Sequence, residues 1–247
     1  MITKNQIKLI NSLAQKKYRK QHGLFLVQGE KNVAELFRSE YELHQVFATQ
    51  ALVTQYQDQL NGAHVVVTTS DALAKAGTFS SNNSALALVK IPTPAEAPVN
   101  AANLLLALDG VSDPGNLGTL IRLADWYGIS DILVSQDCAD FYNPKVISAT
   151  MGSFCRVRLH RVDLAEFLSQ QVCPIYGAFL EGENIHQATL SDSGIIVLGS
   201  ESHGIRADVA EFVSHKITIP NFGQAESLNV AMAGAIIIDN FKRHSAN

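Results

Sequence analysis

The chain has 247 residues, 47% hydrophobic and 17% charged, with a net charge of −4, which excludes a disordered polymer and fits one large or two small globular domains. Its longest apolar run, Val230–Ile238, has nine residues where a membrane span needs roughly 20, and the polar opening MITKNQIKLINS has no signal-peptide core, so a cytoplasmic protein without membrane contact is expected. Cys138, Cys155 and Cys173 are dispersed and the eight histidines form no HxH or HExxH pair, which predicts reduced thiols and no metal.

In chain order, Ile7, Ile10, Leu13 and Ala14 recur at helical spacing and predict an amphipathic helix over Lys4–Lys17. Lys4, Lys8, Lys16, Lys17, Arg19 and Lys20 give the first 29 residues a charge of +6, so against a total of −4 the remainder carries −10. A basic arm on an acidic body suits a phosphate backbone, and Lys4, Lys16, Lys17, Arg19 and Lys20 are the candidate RNA contacts. A solvated helix face accounts for the same charges. Strands are expected at 23–29, 43–49, 64–69 and 84–90, with helices at 30–39, 50–60 and 70–76, which makes a small α/β domain over residues 1–90. IPTPAEAPVN, starting at Ile91, holds three of the seven prolines, so residues 91–102 read as a linker on which the first domain flexes.

Residues 103–247 form the second domain. NLLLALDG is a buried strand, a helix follows from about Leu117 to Tyr127, and Asp131–Ser135 is the next strand. Pro144 opens a helix over 143–150, FCRVRLH (154–160) alternates as a strand, and a helix is expected at 163–171. Strands at 174–180, 194–199 and 216–220 precede the C-terminal apolar helix. Strands alternating with helices imply a mostly parallel sheet, whose ligands bind beyond the carboxyl ends of the strands.

Three such ends are rich in glycine and polar residues. DGVSDPGNLGTLIRLAD turns at Pro114–Gly115, sets Asn116 at a helix mouth and carries Arg122 six residues on. VLGSESHG ends a strand at Gly199 and follows it with Glu201. IPNFGQAESLNVAMAGA brings Ser227, a good N-cap, and Asn229 to the mouth of the apolar helix. Taken singly, each admits ordinary helix capping. GxGxxG, GxxxxGK[ST] and GxSxG are all absent, so a dinucleotide fold, a phosphate loop and a serine hydrolase lack support.

In combination and order, these loops resemble motifs 1, 2 and 3 of the SpoU/TrmH family of RNA ribose 2′-O-methyltransferases, in the SPOUT superfamily. The family pattern LDxVxDPxNxGxxxRxAxxxG, xxGxExxG, IPMxGxxxSLNVxxAxA is met from Leu104 onward, with Asn221 in place of the methionine. The N-terminal stretch resembles the ribosomal-protein-like substrate-binding domain of many members, with Val27-Gln28-Gly29-Glu30 where F-V-E-G is usual. The resemblance implies a deep trefoil knot, a homodimer packed through its C-terminal helices, and S-adenosylmethionine held by Gly199, Ile219, Pro220, Gly223 and Leu228. It implies ribose methylation by Asn116, Arg122, Glu201, Ser227 and Asn229. A guanidinium, with a pKa of about 12.5 or more, is a poor base, so Arg122 is expected to clamp a phosphate or stabilise the alkoxide, with Glu201, Ser227 and Asn229 orienting it and the ribose. The extra N-terminal domain favours rRNA over tRNA as substrate. The competing readings are a tRNA ribose methyltransferase and a non-catalytic RNA-binding relative; S-adenosylmethionine titration separates the latter.

Overall fold

The computed structural model describes residues 2–79, 82–94, 97 and 103–245. Of the expected linker, residues 95, 96 and 98–102 lie outside the described residues. The elements run α1 (Lys4–Ser12), α2 (Lys16–His22), β1 (Leu24–Gln28), α3 (Glu30–Leu36), β2 (Leu43–Ala48), α4 (Gln50–Gln55), β3 (Val65–Val67), α5 (Ser70–Ala76) and β4 (Ala85–Lys90). They continue with β5 (Leu104–Asp109), α6 (Pro114–Trp126), β6 (Asp131–Val134), α7 (Pro144–Ala149), β7 (Arg158–Arg161) and α8 (Leu164–Ser169). The remainder is β8 (Ile175–Asn184), β9 (Gly194–Gly199), α9 (Ala207–Ala210), β10 (His215–Thr218) and α10 (Val230–Ser245).

The chain divides into two compact units, Met1–Thr93 with Asp140–Cys155, and Pro94–Ala139 with Arg156–Asn247. Sequence reading placed 140–155 wholly in the second domain. Its apolar side chains explain the difference: Ile147 and Phe154 are buried in one cluster with Phe25, Val27 and Val89. The chain passes between the units three times, so the single Pro-rich hinge expected from the sequence is not the only connection.

The first unit carries a four-stranded sheet in the order β1-β4-β2-β3, antiparallel except for the β2–β3 pair. The single helix expected over Lys4–Lys17 is two. Thr3 and Gln6 form a capping box at the start of α1, a turn breaks the chain at 13–15, and Gly23 ends α2 in the left-handed region at φ +63°. Segment 140–155 enters through α7, capped by Asn143 with Pro144 in its first turn. Phe25 packs against the rings of Tyr41, Tyr142 and Phe154, and burial pushes the Tyr142 hydroxyl up to about 12.

The second unit is a six-stranded sheet, β10-β8-β9-β5-β6-β7, in which every adjacent pair is parallel. The strand expected at 154–160 begins late: Ser153–Cys155 is a 3₁₀ turn and pairing starts at Arg158. From β5 the chain steps through β6 to β7, then returns to the far side with β8 and β9. The order reverses between β5 and β9, so the loops after Asp109 and Gly199, paired residues in the ladder, diverge at one crevice. Helix α10 packs back on this centre, so closely that a Cβ on Gly234 would lie 2.8 Å from Leu120 and 3.0 Å from Leu198.

Candidate active site

Three polar side chains from distant parts of the second unit meet at that crevice. Helix α6 is capped by Asp113, whose Oδ1 accepts from the Asn116 amide at 2.8 Å. With its backbone satisfied, the Asn116 side chain donates from Nδ2 to Glu201 Oε1 at 2.6 Å. Asn229 caps α10, its Oδ1 accepting from Ala231 N at 3.0 Å and Met232 N at 3.3 Å. Its Nδ2 donates to Asn116 Oδ1 and to Glu201 Oε1, each at 2.9 Å. The N-cap role expected of Ser227 therefore belongs to Asn229, one residue before the first helical position. Beside the three lies a cavity of about 100 Å³ lined by the 110–113 loop, Asn116, Ser200, Glu201, Ser202 and Val230.

Charged side chains hold these loops: Asp109 is buried, while Asp137, Arg161 and Arg206 are exposed. Asp109, 1% exposed at the end of β5, accepts from Arg206 N at 2.8 Å, and its other oxygen lies 2.7 Å from Arg206 Nη2. That second contact is an ion pair outside hydrogen-bond geometry, because Oδ1 has no hydrogen-bond partner. Gly110 N donates to Ser135 Oγ at 2.9 Å, and Ala139 N to Val111 O at 3.0 Å. Hydrogen bonding from the Ser135 hydroxyl keeps Asp137 below the ordinary carboxylate range, with Arg206 and Arg161 adding to it. Arg161 spreads its guanidinium over the carbonyls of Ser135, Gln136, Cys138 and Ala139. A Cβ at Gly199 would fall 2.0 Å from Gly204 C, so glycine is required there by the tight 200–204 turn. Sequence reading missed Asp109, Arg161 and Arg206; the one signal available was an aspartate closing an apolar strand.

Arg122 does not join the cluster of its own chain. Six residues beyond Asn116, it sits about 120° round the helix and about 9 Å along it. It is exposed and makes no hydrogen bond or ion pair with the described residues, so the Glu201 expected to orient it binds the two asparagines instead. Trp126, one turn after Arg122, is 83% exposed, and Met232 on the neighbouring α10 is 60% exposed. Ser227 and Leu228 are exposed, while Ile219 and Pro220 are half-buried. Gly223 N donates to Asn221 Oδ1 at 2.7 Å, and Asn221 Nδ2 to Ala225 O at 2.8 Å, which closes the 221–225 loop. The backbone groups of Glu226, Ser227 and Leu228 make no hydrogen bond with the described residues.

In the first unit, Lys4, Lys16, Lys17 and Lys20 are exposed. Arg19 is not: it is 2% exposed, with Nη1 donating to Leu13 O at 2.7 Å and Ala14 O at 2.9 Å. Its Nη2 pairs with Asp140 at 2.5 Å. The expected RNA contact at Arg19 is thus a buried structural ion pair, removed from solvent by the turn between α1 and α2. Among the described residues no cluster of His, Cys, Asp and Glu could hold a metal ion, and no helix is long and apolar enough to cross a membrane.

Comparison with known proteins shows the family of the chain. The model of the SpoU rRNA methylase family matches residues 103–239. The chain belongs to this family of RNA methyltransferases. The model of an MRM3-like substrate-binding domain matches residues 4–87. The 23S rRNA (guanosine(2553)-2′-O)-methyltransferase RlmP of Bacillus subtilis is 30% identical, over 95% of both chains. A TrmH-family RNA methyltransferase structure from Porphyromonas gingivalis is 36% identical and superposes with a TM-score of 0.85 over 99% of both chains. An AdoMet-bound rRNA methyltransferase from Sinorhizobium meliloti is 25% identical, with a TM-score of 0.87 over 99% of this chain and 96% of the other. Asn116, Glu201 and Asn229 all fall inside the matched range 103–239.

Proposed function

We propose that the protein transfers a methyl group from S-adenosylmethionine to a ribose 2′-hydroxyl of ribosomal RNA. The observation that carries this reading is the convergence of Asn116, Glu201 and Asn229, which stand up to 113 residues apart in sequence, on one crevice at the strand ends. The unspent backbone groups of 226–228 and the partly exposed apolar surfaces of Ile219, Pro220 and Leu228 suit a donor with a polar amino-acid end and an apolar adenine face. Gly223 shapes the adjoining loop, and Gly199 permits the tight turn beside it. Ser227 is exposed next to these groups and contacts the donor or the ribose. When bound, the donor supplies an electrophilic methyl on a sulfonium; the chain's own residues hold the ribose in line and manage its proton.

The rRNA preference rests on relatives such as RlmP, which is named for 23S rRNA. Lys4, Lys16, Lys17 and Lys20 contact the RNA backbone. The working form is a homodimer, supported by the exposed Trp126 and Met232 on adjoining helices. Such a dimer gives Arg122 a phosphate or alkoxide to clamp beyond its own chain's asparagines. The passage from β10 at the sheet edge back to α10 over β9 is threaded as a trefoil knot, and the protein works in the cytoplasm. Ribose-methylation mapping of rRNA and tRNA treated with the purified protein and labelled donor tests the reading. Label at one 2′-oxygen of rRNA is the expected result; label in tRNA alone, or none, overturns it.

A further inference from the structure

The first unit has a cavity of its own, of about 370 Å³, lined by Glu30, Lys31, Ala34, Glu35, Arg38 and Tyr56. Lys31, Ala34, Glu35 and Arg38 recur at helical spacing along α3 and its closing turn, opposite the buried Asn32, Val33 and Leu36. Ala34 is the small residue between the two cations. Tyr56 enters from the end of α4, half-buried, with its ring 5.5 Å from that of Phe37 and packed against the core of the unit, so the angle of its face is set by folding. A Cβ on Gly152 would lie 2.4 Å from Glu35 Cγ, so the stem of Glu35 is seated against the backbone of segment 140–155. Glu30, Lys31 and Arg38 are exposed, and neither their side chains nor the Tyr56 hydroxyl make a hydrogen bond or ion pair with the described residues. Two carboxylates offset the two cations, so the cavity has no surplus charge to hold a bare phosphate. It offers a fixed aromatic face with a cation on either side of Ala34, and acceptors at its rim.

We propose that this cavity is a subsite for one unpaired nucleotide of single-stranded RNA, whose base stacks on Tyr56 while the adjoining phosphates meet Lys31 and Arg38. The proposal rests on the RNA-methyltransferase reading above. Single-stranded RNA is recognised by splayed bases that stack on aromatic side chains, with cations on the backbone and polar groups at the base edge. Glu30 is the acceptor for an amino group on that edge. In a duplex the bases stack on one another and their faces are closed to the ring. The lysines of α1 and α2 grip any phosphate backbone alike, so they leave the choice between paired and unpaired RNA to another group. Tyr56 supplies that choice.

The test measures binding of the full chain to oligoadenylate and to a blunt RNA hairpin with the same number of phosphates, by fluorescence anisotropy, with S-adenosylmethionine affinity by calorimetry and a thermal melt alongside. Tyr56→Leu should weaken oligoadenylate binding about tenfold. Hairpin binding and donor affinity should stay within about twofold, because neither uses the ring. Tyr56→Phe keeps the ring and should bind oligoadenylate within about twofold of wild type. Arg38→Gln should lower the salt slope on oligoadenylate by about 0.7, the increment for one phosphate contact on a single strand. Tyr56 also packs on the core, so Ala34→Gln provides a variant that fills the cavity from its exposed side; it should give the same selective loss with an unchanged melt. In methylation of rRNA, Tyr56→Leu should raise KM and leave kcat within about threefold, as for a group that binds and takes no part in the chemical step. Equal losses on both RNAs, or no loss in either Tyr56→Leu or Ala34→Gln, overturns the proposal. A selective loss in these variants, with no methyl transfer to RNA by the wild type, would leave the subsite standing and overturn the function reading instead.

Discussion

Two polar clusters in this molecule are built from similar side chains and come to opposite ends. In the first unit, Arg19 and Asp140 close on each other and on two carbonyls, with Arg19 almost wholly out of solvent. In the second, Asn116, Glu201 and Asn229 also close on one another, yet they sit at the surface with one carboxylate oxygen unspent. A buried charge must be paired, because desolvation is costly, so the first cluster is consumed by folding. The second keeps a free acceptor that water can fill until a substrate arrives.

The largest effect expected from this contrast concerns the first unit as a whole. A fragment of residues 1–93 lacks Ile147, Phe154 and Asp140, and should give no cooperative unfolding transition, whereas the full chain should. A folded 1–93 fragment would mean that segment 140–155 is dispensable there. Next, Asp140→Ala leaves the Arg19 guanidinium buried without its counter-ion and should cost about 3–5 kcal/mol in denaturant unfolding. A cost below about 1 kcal/mol would place Arg19 back among the surface cations.

The contrast should follow burial and not the unit, and Asp131 checks this. Burial alone would raise its pKa, but hydrogen bonds from Arg158, Ser130 and His160 hold the carboxyl down to about 2. Its folded pKa lies below the unfolded value, so the stability it adds is present above about pH 4 and lost as pH falls toward 2. Asp131→Asn should lower stability at pH 7 by about 2 kcal/mol and flatten that acid limb in a pH series of melts. An unchanged limb would show that another carboxylate drives it. The smallest stability effect belongs to the exposed lysines: Lys16→Gln, Lys17→Gln and Lys20→Gln should each stay within about 0.5 kcal/mol of wild type. Combined, they should weaken RNA binding uniformly and reduce its salt slope by about 0.7–0.9 per lysine removed. An unaltered slope would remove them from the RNA footprint.

Much of the element order was legible because hydrophobic periodicity and caps are local: Ser70–Ala76 and Gly194–Gly199 coincide with their expected bounds. The misreadings are equally specific. Leu13 and Ala14 continue the helical pattern, but Leu13 is drawn into the core and its carbonyl is needed by Arg19, so the helix breaks there. FCRVRLH alternates like a strand, yet Phe154 is claimed by the aromatic cluster around Phe25 before pairing begins at Arg158. Ser227 is a good cap by type, but Asn229 lies at the helix start and its amide reaches two partners at once.

The sequence by itself determined the family, the three loops and which residue types they carry, because loop chemistry and spacing are written in order along the chain. Tertiary structure alone decided which lysine-like charge faces solvent and which is buried, where segment 140–155 finds its core, and which oxygen of Glu201 is left free. Those outcomes depend on partners 28 to 121 residues away, and no local pattern encodes the direction in which a side chain finally points.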